Sequence, residues 1–247
     1  MKILVCISRT PDTTAKIAFV DNNTKFATEG VQWIINPYDE WYALVKAIEI
    51  KEKDPTASIH LLHVGGSDAE SIIRKALALG GDEGIRIDSN ATDPYFVACQ
   101  IAAVANKEKP DIILTGKETI DHNNGSLGGM IAGIMDINFI GMATKLLLEN
   151  DMAVVTREIE GGEEVLESPF PLVISCQKGM AEARIPNMRG IMSARTKPLY
   201  VVPPIEAASL TTPVEFSLPP AKAGVKYIPA DHPELLVKLL REEAKVI

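Results

Sequence analysis

The chain is poor in the residues from which covalent, metal and catalytic centres are built. It holds three cysteines in 247 residues, Cys6, Cys99 and Cys176, odd in number and far apart. No Cys-x-x-Cys pair occurs, so zinc-ribbon and iron–sulfur readings fall away, leaving buried thiols in a reducing compartment. Basic charge is also short: 25 Lys and Arg against 33 Asp and Glu give a formal net charge of −8. A broad nucleic-acid footprint is excluded by that balance. No apolar run has transmembrane length, and Met1 to Ile7 enters a core-like strand with no signal peptide before it, so a soluble intracellular protein without membrane insertion is expected.

Catalytic signatures are equally scarce. No G-x-G-x-x-G follows the first strand, and neither a P-loop nor a G-x-S-x-G elbow is present. No Ser/His/Asp or Cys/His set is signalled. His60 and His63 are spaced as H-x-x-H, but in a strand residues three apart face opposite sides, so no metal site is expected. The sequence predicts a holding site and no catalytic residue.

What is present is a hydrophobic content of 46%, ample for one large α/β domain or a domain with an appendage. Lys2 to Ile7 reads as a central strand opening into the loop Ser8 to Thr14, a candidate site wall that carries Arg9. Residues 15–34 fit a hairpin or two short edge strands. Asn36 and Pro37 then read as a helix cap and first helical position, with Asp39 and Glu40 in the first turn and Tyr38, Trp41, Val45 and Ile48 at helical spacing. Ile59 to Val64 is a second strand. Ser67 or Asp68 caps a helix to Leu79 with Arg74 and Lys75 outside, and Gly80-Gly81 ends it. Ile85 to Ile87 and a helix from Asp93-Pro94 to Asn106 follow. This alternation predicts a doubly wound, mostly parallel sheet.

The chain is organised around Gly116 to Gly133. An apolar strand, Ile112 to Thr115, precedes it and a small-residue helix, Gly128 to Met135, follows. Between them Asp121, His122, Asn123, Asn124, Gly125 and Ser126 are turn formers or caps. Strand, glycine turn and helix start make a natural anion site, where free N–H groups and the helix dipole converge. Beyond it, Met152 to Glu167 reads as a hairpin turning at Gly161-Gly162, and Pro171 to Cys176 as a buried strand. The segment from Ala183 to Ala194 is apolar and basic together; its Met188, Ile191 and Met192 either pack inward or form an adaptable docking face. Prolines 203, 204, 213, 219, 220 and 229 punctuate an extended arm, and a terminal amphipathic helix capped by Asp231 ends it. The expected division is an α/β domain over 1–200 and an arm with its helix over 201–247.

Taken in order, several runs resemble the β subunit of electron-transfer flavoprotein over nearly the whole length. They are Ile3-Leu-Val-Cys-Ile7 with the Arg9 loop, Asn36-Pro-Tyr-Asp39, Ala76-Leu-Ala-Leu-Gly80 and Gly116-Lys-Glu-Thr-Ile-Asp121, then Arg157-Glu-Ile-Glu-Gly-Gly162, Ile191-Met-Ser-Ala194 and Ala223-Gly-Val-Lys226. The resemblance implies a Rossmann-like, adenine-nucleotide-binding fold and a heterodimer with an α subunit that holds most of the redox FAD. It implies a structural AMP in this chain, contacted by Cys6, Asn36, Pro37, Tyr38, Asp39 and Val64. It extends those contacts through Gly116, Lys117, Glu118, Thr119, Ile120, Asp121, His122, Asn123, Asn124, Gly125, Ser126 and Leu127. Arg9 and Thr13 would lie near the flavin, Thr13 where some relatives carry an aromatic. Met188, usually leucine in the family, with Ile191 and Met192 would dock acyl-CoA dehydrogenases or other flavin dehydrogenases, and the arm would wrap the α subunit. Ser193 and Thr196 stand where animal relatives carry lysines, and the turn after Lys117 has fewer aspartates than usual. The implied role is an electron carrier, not an enzyme of bond chemistry, delivering to a quinone-linked oxidoreductase. Its expected compartment is the bacterial cytoplasm, with the mitochondrial matrix as the alternative. A rival within the family is an electron-bifurcating subunit with a second FAD in the AMP site and NADH as donor. A rival outside it is a stand-alone adenine-nucleotide sensor.

Overall fold

The computed structural model describes residues 1–90, 92–222 and 224–247. Ala223, the first residue of one run in the resemblance, therefore lies outside the described residues. The chain begins with β1 (Lys2–Cys6), β2 (Arg9–Pro11), β3 (Phe19–Val20), β4 (Lys25–Phe26), β5 (Trp33–Ile35) and α1 (Asp39–Lys53). It continues through β6 (Ser58–Val64), α2 (Glu70–Leu79), β7 (Glu83–Ile87), α3 (Pro94–Glu108), β8 (Ile112–Gly116) and α4 (Leu127–Met135). Then come β9 (Asn138–Glu149), β10 (Met152–Ile159), β11 (Gly162–Pro169), β12 (Leu172–Cys176), α5 (Met188–Ala194), β13 (Leu199–Val202) and α6 (Pro233–Leu239).

Nine strands form one sheet in the order β11-β10-β9-β12-β8-β1-β6-β7-β13. β1 pairs in parallel with β6 on one side and β8 on the other, so the winding reverses direction at the β1/β8 boundary. Alternating side chains divide the core between the two faces. Ile3, Val5, Ile59 and Leu61 pack with α1 and α2, while Leu4, Cys6, Leu62 and Ile113 pack with α3 and α4. The doubly wound α/β reading holds. Parallel order ends at β9, which runs antiparallel to β10, itself antiparallel to β11. No helix among the described residues is long and apolar enough to cross a membrane.

Several local expectations change. Asn36 does not cap α1: Tyr38 occupies that position, without a side-chain capping bond, and half its surface stays exposed. Asn36 is drawn away because its amide serves the loop after β8. Neither Ser67 nor Asp68 caps α2; a short 3-10 turn over Ser67–Ala69 leads in, and Ala69 holds the cap position. Arg74 is not an outer-face charge, because its Nη1 donates to the carbonyls of Ala194 and Lys197 at 2.8 and 2.6 Å and so ties α5 to α2. Asp231 yields its cap position to His232. Cys99 is only half-buried, unlike Cys6 and Cys176. The arm is fixed at its root. Gln100 donates to the Ile205 carbonyl at 3.0 Å and accepts from its N–H at 2.7 Å. Asp93 accepts from Phe96 N at 2.7 Å through Oδ1, which starts α3, and from Thr211 N at 2.8 Å through Oδ2.

Candidate functional site

The winding reversal between β1 and β8 leaves a crevice at the strand carboxyl ends, the place where open α/β sheets bind ligands. A cavity of about 120 Å³ lies there, lined by Glu40, the β8 end from Thr115 to Thr119, His122, Asn124, Leu127 and the start of α3 at Thr92, Pro94 and Val97. Cys6, Val64 and Leu127 belong to one apolar cluster beside it. Of these three chain-distant residues, Leu127 lines the cavity itself.

Asn36 acts as a clasp. Its Nδ2 donates to Glu118 O at 2.8 Å, and its Oδ1 accepts from Ile120 N at 3.2 Å. Asp39 Oδ2 accepts from Glu118 N at 3.2 Å. The loop after β8 is thus held by the start of α1, and Gly116 permits the approach. A Cβ there would lie 2.7 Å from Glu40 Cγ and 3.1 Å from the Glu40 backbone nitrogen.

The loop then turns through Asn123 and Gly125, both at positive φ, 51° and 58°. Those left-handed residues deliver Ser126 to the cap position of α4, yet no described side chain caps that end. The N–H groups of the first turn consequently have no side-chain capping partner at the positive end of the helix dipole, and Leu127 of that turn lines the cavity. Thr115 Oγ1 is buried and has no hydrogen-bond partner among the described residues. Gly128 lets α4 approach that hydroxyl, since a Cβ at Gly128 would stand 2.9 Å from it.

Glu40, Thr115 and the α3 residues were not expected at the site, whereas Ser8 opens the loop read as a candidate site wall. Glu40 read as an ordinary first-turn acid and Asp93-Pro94 as a cap alone. Thr115, the polar residue closing an apolar strand, was the available signal. Glu40 accepts from Ser8 N at 2.5 Å and from Ser8 Oγ at 2.7 Å. Burial, reinforced by Asp121 and Asp39 and partly opposed by those bonds, pushes its carboxyl up to about 8. Burial also raises Asp39, against the lowering effect of the Glu118 N–H. Burial first and Glu40 second raise the Cys6 thiol, which stays protonated and inert. Burial thus biases Glu40 toward its neutral form, which lessens the negative charge of the crevice relative to its composition.

The remaining residues read from the sequence lie both in and outside the cavity wall. Pro37 is half-buried beside the clasp, and Tyr38 faces solvent. Lys117 pairs with Glu118 at 3.1 Å, and Asp121 lies 3.9 Å from His122. Arg9 ion-pairs with Asp68, and its guanidinium sits 3.7 Å over the Trp33 ring. Thr13 is exposed in the following turn. Met188 and Met192 are 73% and 67% exposed and Ile191 40%, so the inward-packing alternative is excluded.

Fold and crevice together define a doubly wound α/β protein with a ligand cleft at its topological switch point. Residues 23–207 match the family model described as "Electron transfer flavoprotein domain". The chain is 38% identical over 247 residues to electron transfer flavoprotein subunit beta of Syntrophomonas wolfei, covering 99% of this chain and 96% of that protein. It is 36% identical to the Bacillus subtilis protein of the same name, with all of both chains covered, and 32% identical to the human one, covering 100% of this chain and 99% of that protein. The chain belongs to the electron transfer flavoprotein family, as a β subunit.

Proposed function

We propose that this β subunit, with an α subunit, carries electrons from flavin dehydrogenases such as acyl-CoA dehydrogenases to a quinone-linked acceptor, with AMP in its own cleft and FAD held mainly by the α subunit. FAD, when bound, supplies the one-electron chemistry. The observation that carries the reading is the uncapped start of α4 beside the orphaned Thr115 hydroxyl. Its N–H groups suit a phosphate, and the Thr115 hydroxyl suits a polar ligand atom. Val97 and Leu127 offer apolar walls for a purine, backed by Cys6 and Val64 in the same apolar cluster. The Asn36 and Asp39 clasps hold the loop in shape before a guest arrives, which reduces the ordering cost of binding.

The remaining parts have supporting roles. Arg9, pinned by Asp68 and Trp33, would present a fixed positive charge toward the flavin side, with Thr13 nearby. Met188, Ile191 and Met192 would dock the dehydrogenase, and the arm with α6 would wrap the α subunit. The subunit itself makes and breaks no bonds. A bacterial cytoplasm is its working compartment in this reading, or the mitochondrial matrix in a eukaryotic host.

Nucleotides released from the purified heterodimer by denaturation, identified by mass and absorbance, test the assignment. One AMP and one FAD per heterodimer is the expected result. Two FAD and no AMP would overturn it in favour of a bifurcating subunit fed by NADH. A chain that stays monomeric when coexpressed with an α subunit would favour the stand-alone sensor.

A further inference from the structure

We propose that His60, Glu83 and Glu108 form a binding site for a divalent zinc-type cation at the opposite edge of the sheet from the nucleotide cleft. His60 lies near the start of β6 and is in register with Glu83, the first residue of the adjacent parallel strand β7. Glu108 closes α3, which returns antiparallel over that edge. The ligands thus come from three packed elements, and their donor atoms all lie within 4.8 Å of one another.

The spacing suits a shared ion. His60 Nδ1 stands 2.9 Å from Glu83 Oε1 and 3.4 Å from Glu108 Oε2. A tetrahedral zinc with ligand bonds near 2.0–2.1 Å places neighbouring ligand atoms about 3.3 Å apart. Despite these short separations, buried His60 Nδ1 meets the geometry of a hydrogen bond with no described partner. The residue is 9% exposed, so water has little access to that nitrogen. A buried imidazole nitrogen within 3.4 Å of two carboxylates and bonded to neither is free to serve as a metal ligand.

Charge and access agree. A neutral imidazole and two carboxylates balance a divalent ion. Glu83 and Glu108 also line a cleft of about 600 Å³ between α3, β7 and β13, which offers an entry path and a water for the fourth position. Lys2 Nζ lies 3.1 Å from Glu108 Oε2 and competes for it. His63 takes no part: it sits on the other face, with Nδ1 2.8 Å from Ile7 O. The site is therefore not the sequence pair H-x-x-H but its first member with two acids from elsewhere.

The test is zinc titration of chelator-stripped heterodimer against a chromophoric competitor, with nucleotide and flavin content checked in each preparation. Wild type should bind one zinc that Glu108→Gln and His60→Ala each bind at least tenfold more weakly, while excess magnesium fails to displace it. Lys2→Gln should bind it more tightly. Glu108→Gln changes a partly exposed residue, which keeps the comparison readable if His60→Ala folds poorly. Equal zinc affinity in wild type and Glu108→Gln would overturn the proposal and reduce the cluster to an ion-pair network.

Discussion

The cleft at the β1/β8 boundary and the platform around α5 stand in sharp contrast. The cleft is built from buried polar groups: Asn36 is 1% exposed, Glu40 3% and Thr115 1%, the first two held by hydrogen bonds to the loop after β8 and to Ser8, the third left without a partner among the described residues. Around α5 the polar work is done underneath. Arg74 holds its C-terminus, Lys197 Nζ donates to the Leu77 and Gly81 carbonyls at 2.9 and 2.6 Å, and Gly190 lets the helix settle on Ala78 O. Its upper surface keeps bare methionines. One region is a container whose shape is fixed by buried hydrogen bonds; the other is a rigid stand for an adaptable apolar cap. A thioether surface repacks against different partners at little cost, whereas a buried donor cannot.

The contrast yields graded predictions. Gly116→Val should have the largest effect, since its side chain meets the α1 backbone; unfolding stability should fall by about 3 kcal/mol in urea denaturation, with loss of bound nucleotide. Glu40→Gln tests the buried acid. Its folded value near 8 lies above the ordinary 4.5, so its favourable contribution is complete below about pH 4.5 and is lost as pH rises through about 8. Wild type and Glu40→Gln should therefore be similarly stable at pH 4.5, and the glutamine variant should be more stable at pH 9 by something on the order of 2 kcal/mol. Equal pH profiles would show that Glu40 is ordinarily ionised in the fold.

Asn36→Ala removes a donor and an acceptor from the loop and should lower stability by about 2 kcal/mol, with weaker nucleotide retention on gel filtration. Met188→Ala is expected at the other extreme. Stability should move by less than about 0.5 kcal/mol and nucleotide content not at all, while reduction by a partner dehydrogenase slows. A large stability loss in Met188→Ala would erase the distinction between container and stand.

Legibility in the sequence followed the same division. β1, β8 and α4 were readable from their apolar runs and α3 from its Asp93 cap, and the turn before α4 was readable because Asn123 and Gly125 are natural left-handed residues. β9 was not. In Asn138 to Glu149, Phe139, Met142, Leu147 and Leu148 remain exposed, so the inside–outside alternation that marks a half-buried strand is blurred. β2 and β13 are short and acquire strand form by pairing with β5 and β7, a tertiary effect. Asn36 misled because Asn-Pro has the chemistry of a cap, and only three-dimensional proximity reveals that its amide is spent on residues more than eighty positions away. Glu40 was hidden for a related reason: an acid in a first helical turn is ordinary until the neighbouring strand end closes over it.

Asp93 carries a consequence beyond capping. One of its oxygens starts the helix whose first residues wall the cleft, and the other holds Thr211 on the arm. A partner that draws the arm away therefore pulls on the carboxylate that shapes the cleft's wall. Coupling of that kind is reciprocal. However strongly assembly tightens or loosens the guest, the guest must favour or oppose assembly by the same factor, so a nucleotide bound in the cleft would be a quantitative reporter of whether the subunit has found its mate.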